Sequence, residues 1–140
     1  MVTPAQSTDF QKVAAFLAAA KLPTSDLPAG LPHFFVALEG GELAATAGVE
    51  IFGEIALLRS VAVAPAQRGS GLGAAILRTT IAHAQAKGAT SIWLITDSAA
   101  GYFEKHGFRA VERSAAPPEI AGTAQFAGLC PSSAVVMKMG

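Results

Sequence analysis

Ser60 to Leu77 reads SVAVAPAQRGSGLGAAIL, and no other stretch constrains the fold as tightly. An apolar run stops at Pro65, glycines stand at 69, 71 and 73, and a helical pattern follows. The run itself, IALLRSVAVA from Ile55, is apolar almost throughout, as in a central strand covered on both faces. After the glycines, Leu72, Ile76, Thr80 and His83 recur at helical spacing, with Leu77, Ile81 and Ala84 beside them. Lys87 and Gly88 close that helix, a cation near its negative end and a glycine for the left-handed residue.

The flanking segments build around this unit. TDFQKVAAFLAAAKLP predicts a first helix with a capping box between Thr8 and Gln11 and a face of Phe10, Val13, Leu17 and Ala20. HFFVALEGGELAATAGVEIF predicts a hairpin turning at Gly40-Gly41. SIWLIT is a short buried strand. DSAAGYFEKHG is a helix started by Asp97 or Ser98 and ended by Gly107, while FRAVERS and SAVVMKM are strands. A hairpin feeding a strand–helix–strand unit implies an α/β (α+β) domain: one mixed sheet of about six or seven strands with helices on both faces. The loops at Leu22–Pro32 and Ala115–Cys130 carry no readable motif.

Composition narrows the function. The 140 residues make one domain, residues 1–140, with 51% apolar and only 14% charged residues. Ten basic and ten acidic residues cancel without a charge run, so no nucleic-acid or anionic-membrane partner is expected. No membrane span or secretion signal is legible, and a cytoplasmic location is the expectation. A single cysteine, Cys130, allows neither an intrachain disulfide nor a multi-cysteine metal site. It reads as a small apolar residue at the edge of the last strand. The histidines at 33, 83 and 106 are scattered, and no metal is expected.

A turn stripped of Cβ atoms, leading into a helix N-terminus, presents backbone N–H groups to an anion, and Arg68 adds a full charge at its rim. The nucleotide P-loop is excluded because no Lys-Ser/Thr pair follows. Gly69, Gly71 and Ala74 do fit the dinucleotide pattern, with Asp97 placed to bind a ribose. Against it, a helix and a hairpin precede this strand, and too little chain follows for a second mononucleotide half.

LRSVAVAPAQRGSGLGAAIL resembles the acetyl-CoA signature of the GNAT superfamily of N-acetyltransferases, R/Q-x-x-G-x-G/A after a V-A-V-x-P strand. VTPAQSTDF resembles that family's opening strand, EGGELAATAGVE its hairpin and GYFEKHGF its helix-to-strand segment. LLRSVAV and TAQFAGLCPSSAVVM are similar to acetyltransferases of arsenic-resistance clusters, and TDSAAGYFEKHGF to those that acetylate glutamate. The resemblance implies a V-shaped splay between two central parallel strands, with SIWLIT bending away. It also implies that Arg68, Gly69, Ser70, Gly71, Leu72 and Gly73 hold the coenzyme A pyrophosphate, and that Val61, Ala62 and Val63 pair with the pantetheine arm. Acetyl-CoA is then the cosubstrate, a small amine the acceptor, and the chain a monomer or homodimer.

The chemistry needs a neutral amine, a stabilised oxyanion and a protonated leaving thiolate. A backbone N–H near Val61 or Ala62 suits the oxyanion. Glu50 interrupts the apolar AGVEIF and is the candidate proton acceptor, unless it points outward from an edge. Arg59, inside LLRSVAV, is either a clamp for a substrate anion or an internal ion pair with Glu50 or another acid. The family's thiolate-protonating tyrosine is replaced by Phe103, and Tyr102 stands one residue earlier, about 100° around the helix. Ser98 or water is then the proton donor, or the thiolate leaves as such. The loss of that tyrosine keeps a second reading open, a non-catalytic acyl-CoA-binding domain.

Overall fold

The apolar run forms the middle strand of a seven-stranded sheet, where its lack of a polar face is accommodated. The computed structural model describes residues 2–129 and 133–140, and Cys130 lies outside them. In chain order the elements are β1 (Val2–Pro4), α1 (Phe10–Ala19), β2 (Phe34–Glu39), β3 (Glu42–Phe52) and β4 (Ile55–Val63). Then come α2 (Leu72–Ala86), β5 (Ser91–Thr96), α3 (Ala100–Glu104), β6 (Arg109–Val111), α4 (Pro118–Ala121) and β7 (Val135–Met139). The sheet order is β1-β2-β3-β4-β5-β7-β6, and β4 with β5 is the parallel pair. A doubly wound dinucleotide fold needs a mostly parallel sheet, so that reading of the glycines fails.

β4 and β5 pair only through Ile55–Ser91, Ala56–Ile92 and Leu57–Trp93. Beyond these the strands part, as a V. β5 is held on its other side by β7, paired from Ile92–Met139 to Thr96–Val135, so its upper half has a fixed course away from β4.

Where the V opens, β4 carries a bulge. Gly48 pairs with Arg59 and Thr46 with Ala62, so Ser60 and Val61 together oppose Ala47. Ser60 has φ +57°, a left-handed conformation that non-glycine residues seldom adopt. Thr46, fully buried, stabilises it by donating its hydroxyl to the Ser60 carbonyl at 2.9 Å. The extra residue shifts the alternation of side chains. Arg59 and Ala62 therefore share one face, while Leu58, Val61 and Val63 share the other.

The first face is covered by α1 and the 22–31 loop, through Val13, Leu17, Leu27 and Leu31 on Phe34 and Val36. Ile120 of α4 and Phe126 extend that cover over Leu57 and Trp93. The second face is covered by α2, whose Ile76, Leu77 and Ala84 are essentially inaccessible, and by Phe103 of α3. Removing a side chain such as Leu17 or Leu77 to Ala costs about 2–5 kcal/mol in such settings. Gly40 and Gly41 make the hairpin turn with φ +60° and +84°.

Two caps differ from the sequence expectation. α1 is preceded by a turn in which the Gln6 N–H donates to Asp9 Oδ2 at 2.8 Å, so Thr8 and Gln11 form no box. α3 starts at Ala100 with Ala99 at its N-cap and no side-chain cap, so neither Asp97 nor Ser98 caps it, and the Thr96 hydroxyl accepts the Ala99 N–H at 3.0 Å in the turn before it. Thr96 ends a strand that must turn sharply, which puts its hydroxyl over the N–H three residues on.

Candidate active site

The open half of the V is a cavity of about 1140 Å³ that passes through the sheet from one covered face to the other. Its long wall is Leu58 to Val63 of β4, and the opposite wall is Leu94 to Ala99 of β5 and the turn after it. At one end stand Gln67, Arg68, Gly69, Gly71, Gly73 and Ala74. At the other stand Ala20 to Ser25 and Gln125.

At the glycine end, Gly69 and Gly71 have φ of +82° and +86°. Gly71 is the N-cap of α2 and has no side chain to satisfy the helix's first N–H groups, so those donors remain for a ligand. The Arg68 side chain is exposed beside them. Two residues of the expected set are turned from the cavity. The Ser70 hydroxyl donates to the Gln67 carbonyl at 2.6 Å, and Leu72 packs near Ile76 in the core.

Tyr102, rotated about 100° from the family's tyrosine position, still borders the site. Both Tyr102 and Phe103 line the cavity, because α3 lies across its mouth. A Cβ built on Gly73 would sit 2.8 Å from the Tyr102 hydroxyl, so that hydroxyl rests against the first turn of α2. Partial burial raises the Tyr102 pKa above its usual value and keeps the group a donor. Ser98 lines the same mouth and is exposed.

The other end holds charge. Arg59, with its side chain only 1% exposed, grips Asp26 through Nη1 and Nη2, both at 2.8 Å. Nη1 also donates to Glu50 Oε2 at 2.9 Å, and Nε to the Ser60 hydroxyl at 3.1 Å. Gln125 donates from Nε2 to both Asp26 oxygens at 3.3 Å. The guanidinium lies 5.7 Å from the centre of the Phe34 ring, which itself lies flush on Gly48. Of the two roles expected of Arg59, the ion pair with Glu50 is present, and Asp26 joins it. Glu50 does not point outward alone: it is on the Arg59 face and about one-third exposed, although it does not line the cavity wall.

Asp26 and Gln125 come from the two loops that carried no motif. One signal existed, since Asp26 is the sole charged residue between Leu22 and Pro32. An isolated acid in an apolar loop needs a partner, and Arg59 was the buried cation lacking one. For Gln125 nothing local points to the site. The histidines are less scattered than expected: His33 Nδ1 and His83 Nε2 share a hydrogen bond of 2.8 Å between β2 and α2. Burial, then the neighbouring His33 and Lys87, lower the His83 pKa. No group of three metal-ligating side chains occurs among the described residues.

The acetyltransferase (GNAT) family profile matches residues 5–108. No curated protein matches the whole sequence significantly. Among solved structures, N-acetylglutamate synthase from Neisseria gonorrhoeae, complexed with coenzyme A and N-acetyl-glutamate, superposes with a TM-score of 0.84 at 17% identity. That match covers 99% of this chain and 34% of the other, so the chain spans about a third of that protein. Rv2747 from Mycobacterium tuberculosis, in complex with coenzyme A, gives 0.80 at 20% identity over 99% and 98%. A GNAT-family acetyltransferase from Staphylococcus aureus Mu50 gives 0.81 at 15% identity over 99% and 97%. With the family profile spanning most of its length, this chain belongs to the GNAT acetyltransferase family.

Proposed function

We propose that the protein transfers the acetyl group of acetyl-CoA directly to the amine of a small, amino-acid-like acceptor. The observation that carries this is the through-sheet cavity, which joins an anion-binding helix start to a buried charged cluster past the β4 bulge. In this reading the amides from Gly69 to Gly73, with Arg68, receive the pyrophosphate, and Val61 to Val63 offer strand edges to the pantetheine amides. The thioester then reaches the bulge, where a Val61 or Ala62 N–H faces the carbonyl oxygen and stabilises it as charge develops.

Glu50 takes the proton of the incoming ammonium, relayed by water because Glu50 stands behind the wall. Arg59 holds that carboxylate in place through Nη1. The nitrogen lone pair attacks the carbonyl carbon, the tetrahedral intermediate gives the extra nitrogen proton to water and expels the thiolate, and Ser98 or water at the mouth supplies the thiolate's proton. In this reading a small-molecule acceptor takes the far end, and among coenzyme A-bound structures of the same fold the Neisseria gonorrhoeae N-acetylglutamate synthase complex holds N-acetyl-glutamate.

Thiol release from acetyl-CoA, followed over a panel of amines with mass detection of the product, tests the reading. Glutamate and an arsenical amino acid belong on that panel as tests of the two narrower resemblances in the sequence, which the family match does not reach. Coenzyme A binding without turnover on every amine would instead support a regulatory acyl-CoA-binding domain.

A further inference from the structure

We propose that Asp26 determines acceptor specificity: by filling the Arg59 fork it closes the pocket to a substrate carboxylate and selects amines whose neighbouring acid is absent or blocked. The proposal rests on the acetyl-transfer reading and adds the class of acceptor. Arg59 is the buried cation on the cavity wall beside the bulge, where a two-point grip on an acidic acceptor would form, whereas Lys21 and Arg68, which also line the cavity, are exposed. Its guanidinium has five N–H donors. Four are already directed, one to Ser60, two to Asp26 and one to Glu50. No parallel pair is left for the two-point grip that a substrate carboxylate requires.

Asp26 is also poorly placed to yield. Leu27 and Leu31, on the same loop, are buried in the core under α1, and Gln125 holds both carboxylate oxygens from the opposite side. Charge acts in the same direction. Two carboxylates around one guanidinium leave the cluster with a net negative charge, which repels a third carboxylate and attracts an ammonium. The favoured acceptor is therefore a primary amine or an amino-acid amide.

The test compares an α-amino acid with its α-amide, L-phenylalanine with L-phenylalaninamide and L-glutamate with its α-amide, which changes one acid at nearly constant size. Wild type should favour the amides at least tenfold in kcat/KM, and Asp26→Ala and the isosteric Asp26→Asn should shrink that ratio at least tenfold. A structural role alone would lower both rates and leave the ratio in place. Calorimetric titration with glutarate is read without turnover: saturable millimolar binding is expected for Asp26→Ala and for neither wild type nor the Asp26→Ala/Arg59→Leu double variant. Failure of every amine to react would sink the acetyl-transfer reading, while the glutarate result would still decide the role of Asp26. A wild-type preference for the acids, an unmoved ratio in a folded variant, or equal glutarate binding with and without Asp26 would overturn the proposal. If neither single variant folds, the wild-type ratio decides alone.

Discussion

Gly48→Ala should destabilise the protein, although the same change in a strand interior is ordinarily favourable by about 0.5–1 kcal/mol. Gly48 pairs with Phe34 across β2 and β3, and a Cβ there would lie 2.7 Å from three atoms of the Phe34 ring. That ring is 2% exposed and wedged among Val13, Leu17 and Leu31, so it cannot swing aside without disturbing the cover of the first face. A ring that cannot move puts the overpacking cost in the upper half of the usual range, about 2–2.5 kcal/mol, which leaves a net loss of about 1–2 kcal/mol after the backbone gain. At about 2.1 cal/mol/K per residue, unfolding this chain carries about 0.3 kcal/mol/K of entropy, so Tm should fall by about 3–7 °C. Thermal unfolding by circular dichroism measures it. Because the ring also lies under the Arg59 guanidinium, kcat/KM should drop with it. In a Phe34→Leu background the added methyl has room, and Gly48→Ala should become neutral or stabilising. A single variant as stable as wild type would refute the contact argument.

At the glycine turn, Gly71→Val places a β-branched residue at φ +86°, a strain of about 1–2 kcal/mol, and fills the space before the α2 amides. Calorimetry should show coenzyme A affinity at least tenfold weaker in a folded protein, and unchanged affinity would sink the phosphate site. Tyr102→Phe removes a hydroxyl that rests on the first turn of α2. Loss of one neutral hydrogen bond from that hydroxyl to the bound coenzyme, about 0.5–1.5 kcal/mol, should raise the KM for acetyl-CoA several-fold at constant kcat. A hundredfold fall in kcat would instead make Tyr102 the proton donor. His83, its pKa lowered by burial, binds its proton less readily when folded, so the unfolded chain takes up more protons in the window below pH 6.5. Its stabilisation is present above that value and is lost as the pH falls through the folded pKa. Urea midpoints between pH 5 and 8 should rise with pH in wild type and flatten in His83→Gln.

The central part of the molecule was legible because its constraints are local. A strand with no polar face, glycines where the backbone turns left-handed, and a 3.6-residue period after them each fix a conformation within a few residues. The splay followed from family resemblance alone, since nothing in SIWLIT shows where its pairing with β4 stops. The charged cluster was half legible. Arg59 and Glu50 stand out against apolar strands, but Asp26 meets Arg59 across 33 positions and Gln125 meets Asp26 across 99. Contacts at such separation depend on how loops close, and loops without periodicity leave no trace of it. That Tyr102 lines the cavity beside Phe103 was not legible from helical rotation: α3 is only five residues long and lies across the cavity mouth, so adjacent side chains both reach the wall.

A sheet that divides at Leu57 and Trp93 has four edges instead of two, and two of them face each other inside the protein. Exposed edges invite any extended chain to add itself as a strand, which is a hazard on a surface. Here the edges are recessed between α2 and the 20–25 loop, so a flat partner strand is kept out while a thin linear molecule with amides at strand-like intervals can enter. On the proposed reading, a coenzyme arm lying there would act as an eighth strand contributed from outside. Ligand and fold then share one cooperative unit, and resistance to heat and proteolysis should climb with the logarithm of coenzyme concentration once it exceeds the dissociation constant.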